Sequence, residues 1–367
     1  MIIAKALFFI SILNFAYCAM AQLCNAAESC VDCSAISNCG WCIRDESCYN
    51  IDSNAGPCTT PMLIRNQTEC SQLKHIPYDQ DFAVQMAKFA ATAYGNKQTD
   101  CLKYFTDNRF KLVKRIEVKM DLGLDTDVGF VATSEIDGAI VIGFRGTDQT
   151  AESVIEVLRD IFPRQKYPFG GSVATYFYVF KKMWPHVKVA VNSVLGQSEE
   201  SEKWDIWVTG HSLGGTIAIL TASQLSGDGI VSKNRLKLLT FGAPRVGNWD
   251  FAIQHDRLVP HNWRLTHNLD IVPHLPFCYD SHGCHQTKWL AYHSGLEIFY
   301  PADDMSPSHN LTYQVCRGKP VNEDKNCSYG LVHRENCLLH MSKCTSAHTK
   351  YFNIGDLEDF ATNGCKN

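Results

Sequence analysis

From about residue 80 onward, apolar residues recur along this chain at two spacings, one helical and one extended. Asp81 to Tyr94 carries them at helical intervals, which predicts an amphipathic helix. Val113 to Met120 alternates apolar and polar, as a half-buried strand does. Gly129 to Thr133 and Ala139 to Phe144 are continuous apolar runs of strand length. Ala174 to Leu195 predicts a long helix, Trp204 to Thr209 a buried strand and Thr216 to Leu225 another helix. Leu236 to Phe241 and Trp263 to His267 predict further strands, and Asp356 to Ala361 a short terminal helix. Buried strands alternating with helices after residue 138 predict an α/β fold whose central sheet is mostly parallel and flanked by helices. No repeat or low-complexity stretch interrupts residues 73–367, which therefore read as one domain.

The pattern changes before that. Apolar residues are sparse in residues 22–72, which instead hold eight cysteines: Cys24, Cys30, Cys33, Cys39, Cys42, Cys48, Cys58 and Cys70. So small a segment with so little core needs covalent staples. Residues 1–21 differ again. Lys5 precedes the apolar stretch Ala6 to Tyr17, and Ala19-Met20-Ala21 is a small-x-small step. This is the layout of a cleaved signal peptide, with Gln22 as the mature N-terminus; the stretch is too short to span a bilayer.

Composition agrees with that address. The chain has 17 cysteines, and Cys18 leaves with the signal peptide, so an even number remains. In a secreted protein this predicts a disulfide framework rather than zinc at the Cys30/Cys33 and Cys39/Cys42 pairs. Asn66, Asn310 and Asn326 each open a glycosylation sequon. The net charge of −4 comes without a basic run or stripe, which argues against a nucleic-acid partner. No later segment is apolar enough over sufficient length to be a transmembrane span. The expected location is extracellular, or the lumen of the secretory or lysosomal pathway.

The densest chemical signal is Gly210-His211-Ser212-Leu213-Gly214-Gly215, set between the strand ending at Thr209 and the helix beginning at Thr216. Strand, Gly-x-Ser-x-Gly, helix is the context of a nucleophile elbow. The sharp turn needs residues without bulk on either side of the serine. It also places Ser212 at a helix N-terminus, whose positive end faces a developing oxyanion. A serine becomes a nucleophile only with a base, usually histidine, oriented by a carboxylate. Among the later carboxylates, Asp270 closely follows the strand ending at His267 and so lies at the same carboxyl edge of the sheet as the elbow. Two histidines then compete for the base: His293, just before the strand-like Glu297 to Tyr300, and His348, just before the terminal helix. Topology favours His348, because a loop after the last strand can swing over the elbow.

Two resemblances sharpen these expectations. Residues 22–72, with Cys39-Gly40-Trp41-Cys42 at their centre, resemble a PSI (plexin-semaphorin-integrin) module. That resemblance implies a rigid spacer or an adhesion-associated unit, and so a possible extracellular protein partner. From about residue 75 to its end the chain resembles the class 3 (fungal-type) lipases. The landmarks are Ile142 to Thr147 (IGFRGT), the elbow, Phe241 to Asn248 (FGAPRVGN) and Asp270 to Pro276 (DIVPHLP).

The second resemblance implies an α/β-hydrolase-type sheet and the triad Ser212, Asp270 and His348. His348 matches the family's base in His348-Thr349-Lys350-Tyr351-Phe352, and His293 falls on a non-catalytic step. It also implies an oxyanion hole from the backbone N–H groups of Leu213 and Thr147, with Asp160 orienting the Thr147 hydroxyl. A lid is implied over Asp148 to Phe162, where Val154, Ile155, Val157 and Leu158 fall on one helical face. This segment lacks the tryptophan of the family's best-known lids. By the same resemblance, disulfides join Cys101 to Cys365 and Cys316 to Cys327, leaving Cys278/Cys284 and Cys337/Cys344 as local pairs. No metal and no cofactor is expected, since acyl transfer by a triad needs neither. The implied function is a secreted serine ester hydrolase of the triacylglycerol-lipase type, acting on lipid or another ester at a lipid–water interface. The alternatives are a phospholipase A1, a non-lipid esterase, or a non-catalytic binder of lipid or of a cell-surface partner.

Overall fold

Eight strands of the larger unit lie side by side in the order in which the chain makes them. The computed structural model describes residues 24–42, 47–51, 63–70, 77–119, 126–147, 155, 158, 162–280, 283–284, 286–305, 311–317, 322–335, 337 and 344–366. It divides into two compact units, residues 1–75 and 76–367.

In the larger unit the strands are β1 (Lys111–Lys119), β2 (Thr126–Ser134), β3 (Ala139–Phe144), β4 (Asp205–His211), β5 (Leu236–Phe241), β6 (His261–His267), β7 (Leu296–Tyr300) and β8 (Gln314–Cys316). Neighbours from β3 to β7 are parallel. The two strands before them and the one after pair antiparallel. The parallel centre is where the sequence carries unbroken apolar runs, because such strands are covered on both faces. Every residue of β3 is buried, as is β4 after Asp205.

The helices cover both faces. α1 (Gln80–Thr92) starts where the Asp79 side chain accepts the Phe82 N–H at 2.8 Å. Its Ala83, Met86, Ala87 and Ala90 form a buried stripe at helical spacing, in one core with Val141, Trp207, Leu239 and Leu265. α2 (Gln98–Phe105) follows, tied by the Cys101–Cys365 disulfide to the segment after the last helix. On the opposite face lie α3 (Tyr176–Leu195) and α4 (Leu213–Gly227), in a second core with Ile140, Ile142, Val208 and Leu238. α4 is buried nearly all round, as expected for a helix packed under others. α5 (Trp249–Leu258) is capped by the Asn248 side chain, which accepts the Phe251 N–H at 3.1 Å. α6 (Ser328–Arg334) and α7 (Leu357–Thr362) complete the unit.

Three further disulfides lie in this unit: Cys278–Cys284, Cys316–Cys327 and Cys337–Cys344. The smaller unit has a three-stranded antiparallel sheet, Ser47–Asn50, Cys39–Cys42 and Leu63–Ile64, with a short helix at Cys30–Ala35. Disulfides Cys24–Cys39, Cys30–Cys70 and Cys33–Cys48 staple it, and Cys42 is disulfide-bonded as well. Its core is largely these sulfurs around Trp41 and Ile64. No helix among the described residues is long and apolar enough to cross a membrane.

Candidate active site

The turn between β4 and α4 places Ser212 at φ 54° and ψ −129°, a strained backbone for a residue with a side chain. Two glycines make this turn possible. A Cβ on Gly210 would lie 2.4 Å from the Gly214 carbonyl, and one on Gly214 would lie 2.4 Å from the Phe144 oxygen. The Ser212 N–H donates to the Phe241 carbonyl at 2.9 Å, which fastens the turn to the end of β5.

His348 meets Ser212 there. Its Nε2 lies 2.9 Å from Ser212 Oγ, and its Nδ1 lies 2.9 Å and 3.1 Å from the two oxygens of Asp270. A carboxylate only accepts, so Nδ1 donates, and in the neutral ring that leaves Nε2 as the acceptor facing the serine hydroxyl. Asp270 Oδ1 also accepts the Val272 N–H at 3.0 Å. All three side chains are buried, and Ser212 is only 2% exposed. Tyr351, fully buried, lies beside the same carboxylate. Burial first, then the Asp270 charge, push its phenol well above the ordinary tyrosine value, so it stays protonated.

The turn after β3 packs on this assembly. Gly146 is so close that a Cβ there would be 3.0 Å from the Ser212 Cβ and 2.9 Å from the His211 carbonyl oxygen. Thr147 follows it, half-buried, and Leu213 opens α4 on the other side of Ser212. His211 joins the parts: its Nδ1 lies 2.6 Å from the Tyr94 hydroxyl and its Nε2 2.7 Å from the His348 carbonyl. Its pKa is driven well below the usual imidazole value, by burial and then by the neighbouring His348.

His293 is placed elsewhere. It is buried, its Nε2–H donates to the Pro273 carbonyl at 2.6 Å, and its backbone N–H donates to Glu323 Oε1 at 3.1 Å. Of the four apolar residues expected on a lid face, Ile155 and Leu158 are helical and buried in the core shared with Phe144 and Ile271. Val154, Val157 and Asp160 lie outside the described residues, as does Asn310. Asn66 and Asn326 are exposed. Among the described residues, the groups close enough to hold a metal are Cys24/Cys39/Cys48 and Cys278/Cys284/Glu323. In both, the sulfurs belong to disulfides and offer no thiolate.

Several contacts at this site could not be read from the sequence. Gly242, in the positive-φ region at 57°, lies against Asp270, His348 and Tyr351. The buried pair Arg245–Glu323 supports the loop after Asp270. Tyr94 closes the predicted helix Asp81 to Tyr94, yet nothing local links it to His211, 117 positions away.

A serine hydroxyl facing a bare imidazole nitrogen, with that ring held by a carboxylate, can lose its proton while attacking an electrophilic carbonyl. Comparison with known proteins narrows the chemistry. Residues 141–280 match the family model described as "Lipase (class 3)". A Caenorhabditis elegans protein named as a lipase is 30% identical over 304 residues, covering 78% of this chain and 83% of its own length. The crystal structure of a lipase from Rhizopus microsporus var. chinensis superposes with a TM-score of 0.57 at 25% identity, covering 77% of this chain and 91% of that one. A structure titled as a triacylglycerol lipase whose catalytic centre is a serine protease triad superposes with a TM-score of 0.60 at 25% identity, covering 77% of this chain and 98% of that one.

Proposed function

This chain belongs to the class 3 lipases and is a carboxylic ester hydrolase; on that premise we propose that Ser212, His348 and Asp270 carry out acyl transfer on a triacylglycerol-type lipid. The observation that carries the reading is the pair of 2.9 Å contacts, His348 Nε2 to Ser212 Oγ and His348 Nδ1 to Asp270 Oδ2. Ser212 Oγ bonds to the ester carbonyl carbon while its proton passes to His348 Nε2. The negative charge on the former carbonyl oxygen is met by the N–H groups of Leu213 and Thr147. Loss of one such donor costs about 3–4 kcal/mol of transition-state stabilisation. His348 then gives its proton to the departing alcohol, leaving an acyl-serine. Water, deprotonated by the same imidazole, releases the fatty acid and restores the hydroxyl.

Ser212 is only 2% exposed, and an ester must reach it. We assign that access to movement of the segment around Ile155 and Leu158, whose apolar side chains a lipid surface can accept in place of the core. The leader-like residues 1–21 and the disulfides of both units support an extracellular protein, with the smaller unit as a PSI-like, disulfide-stapled module. The absence of tryptophan from Asp148 to Phe162 favours a second substrate class, soluble short-chain or aromatic esters.

The test is hydrolysis of a series from soluble short-chain esters to emulsified triacylglycerol, by the purified protein and Ser212→Ala. The proposal expects serine-dependent release that rises on emulsion. Serine-dependent release confined to soluble esters would keep the mechanism and replace the substrate class. Equal release by both proteins would end the triad reading.

A further inference from the structure

A hydrogen-bonded chain with a fixed direction runs from the turn before Thr147 to the backbone of His348. The His348 carbonyl can only accept, so His211 Nε2, 2.7 Å away, bears a proton. Burial and the adjacent His348 keep the His211 ring neutral, so its Nδ1 is bare. That nitrogen therefore accepts the Tyr94 O–H at 2.6 Å. The Tyr94 oxygen in turn accepts the Gly146 N–H at 3.2 Å. Each step has one possible donor.

The packing agrees with the hydrogen bonds. The His211 and His348 rings have centroids 4.6 Å apart. The Tyr94 hydroxyl sits so near Gly146 that a Cβ there would be 2.4 Å from it. Tyr94 lies just past the end of α1, its N–H held by the Ala91 carbonyl at 2.9 Å, so its ring is anchored on a rigid element. The two ends of the chain land on the two segments that flank Ser212. One carries the base, the other the second oxyanion donor.

We infer that Tyr94 and His211 are positioning residues: they hold His348 and the Gly146–Thr147 turn in one register, so that base and oxyanion donor address Ser212 together. This rests on the triad reading above. Neither residue touches the reacting atoms. Each acts through a backbone group, the carbonyl of His348 or the amide of Gly146. The contribution is to turnover rather than to ground-state binding, because a small displacement of either segment weakens contacts that matter only as charge develops.

The test uses the full-length protein with Tyr94→Phe, His211→Ala and His211→Gln, a soluble short-chain ester, and the rate of Ser212 labelling by a fluorophosphonate. Tyr94→Phe removes one hydroxyl. Glutamine at 211 can still donate to the His348 carbonyl and accept from Tyr94; alanine can do neither. The expected result is a fall in kcat of tenfold or more for Tyr94→Phe and His211→Ala, with KM within twofold. The labelling rate should fall in parallel, and His211→Gln should recover most of the loss. Turnover within twofold of the parent in all three variants would overturn the inference while leaving the triad intact. So would a glutamine variant no better than alanine, with both losing activity only in proportion to a lowered unfolding midpoint. A parent protein no faster than Ser212→Ala would overturn the triad reading itself, and this inference with it.

Discussion

The backbone N–H of Ile271 donates to the carbonyl of Cys344 at 3.1 Å, joining the loop that carries Asp270 to the loop that leads to His348. Cys344 is also disulfide-bonded to Cys337, and both sit in the core with Ile271 and Val272. The covalent link therefore fixes the strand of chain from which His348 is presented. Replacing both cysteines by alanine should lower stability by about 2–3 kcal/mol, the order expected for a short closed loop. It should also lower kcat on a soluble ester by tenfold or more. Urea midpoints and steady-state kinetics check the two effects separately. Unchanged turnover with a lower midpoint would make the disulfide a staple without a role in presenting His348.

Gly242 is a second place where backbone governs the site. It lies at φ +57°, just past β5, and a Cβ there would be 2.9 Å from Asp270 Oδ2 and 3.0 Å from His348 Nδ1. Neither atom can retreat without breaking the Asp270–His348 hydrogen bond. Gly242→Ala should therefore cost about a hundredfold or more in kcat, as misplacement of catalytic groups by about 1 Å does. The positive φ adds only about 1 kcal/mol of destabilisation. Circular dichroism melts and turnover of a soluble ester check it; a variant with parental kcat would show that the triad tolerates a methyl group at its centre.

The sheet was legible because its strands are local statements. Ala139 to Phe144 and Leu236 to Phe241 appear as strands with the expected ends, their apolar runs matching burial on both faces. Tyr176–Leu195 loses two residues from the expected helix start, and Leu213–Gly227 gains three at its N-terminus. Of the elbow, only Ser212 lies between strand and helix: Gly210 still belongs to β4, and Leu213 and Gly214 already have helical geometry. Ser212 could be read because strand, turn and helix adjoin it in sequence. The order of Asp270 and His348 came from topology and family resemblance, since their meeting spans 78 positions. Tyr94 and Glu323 could not be found this way: each acts by touching a residue far along the chain, and neither carries a local pattern that says so. Gly242 belongs to the Phe241 to Asn248 landmark, but its approach to Asp270 and His348 is no more local. α2 was missed for a simpler reason, being eight residues of largely polar sequence in which Cys101 and Leu102 are buried and Phe105 packs against the core.

Arg245 and Glu323 form a bidentate pair with no exposure to solvent, Nε to Oε1 at 2.7 Å and Nη2 to Oε2 at 2.6 Å. Arg245 Nη1 also donates to the carbonyls of His274 and Pro276, so the pair props the loop that leaves Asp270. Removing one partner strands a buried charge. Glu323→Ala should cost about 3–5 kcal/mol, whereas replacing both by apolar residues of similar volume, Arg245→Met with Glu323→Leu, should recover much of it. Denaturant unfolding of Arg245→Met, Glu323→Leu and the double variant gives the coupling. Additive losses would mean that the two side chains stabilise independently.

Three buried histidines should make the fold sensitive to mild acid. His211, His274 and His293 all have pKa values pushed well below the ordinary 6.5, in each case by burial first. For His211 the second cause is His348; for His274 it is Arg245 and then Arg264; for His293 it is Arg264, Arg245 and His274. The Pro273 carbonyl bound to His293 and the His348 carbonyl bound to His211 act in the opposite direction and do not prevail. Below about pH 6.5 the unfolded chain takes up these protons and the native one does not. Stability is therefore complete above that pH and declines as pH falls toward the depressed native values. Each such group adds about 1.4 kcal/mol per pH unit, so the three together give a slope of about 4 kcal/mol per unit. His274 isolates one of them, because among the described residues neither ring nitrogen has a hydrogen-bond partner, and both are buried. His274→Leu removes one titrating group without orphaning another. Urea unfolding at several values between pH 5.5 and 7.5 should show a total loss of stability across that range smaller by about 1.4 kcal/mol in that variant. Parallel curves for parent and variant would mean that His274 takes up its proton equally in the folded and unfolded chain, and that burial beside Arg245 and Arg264 does not hold it neutral.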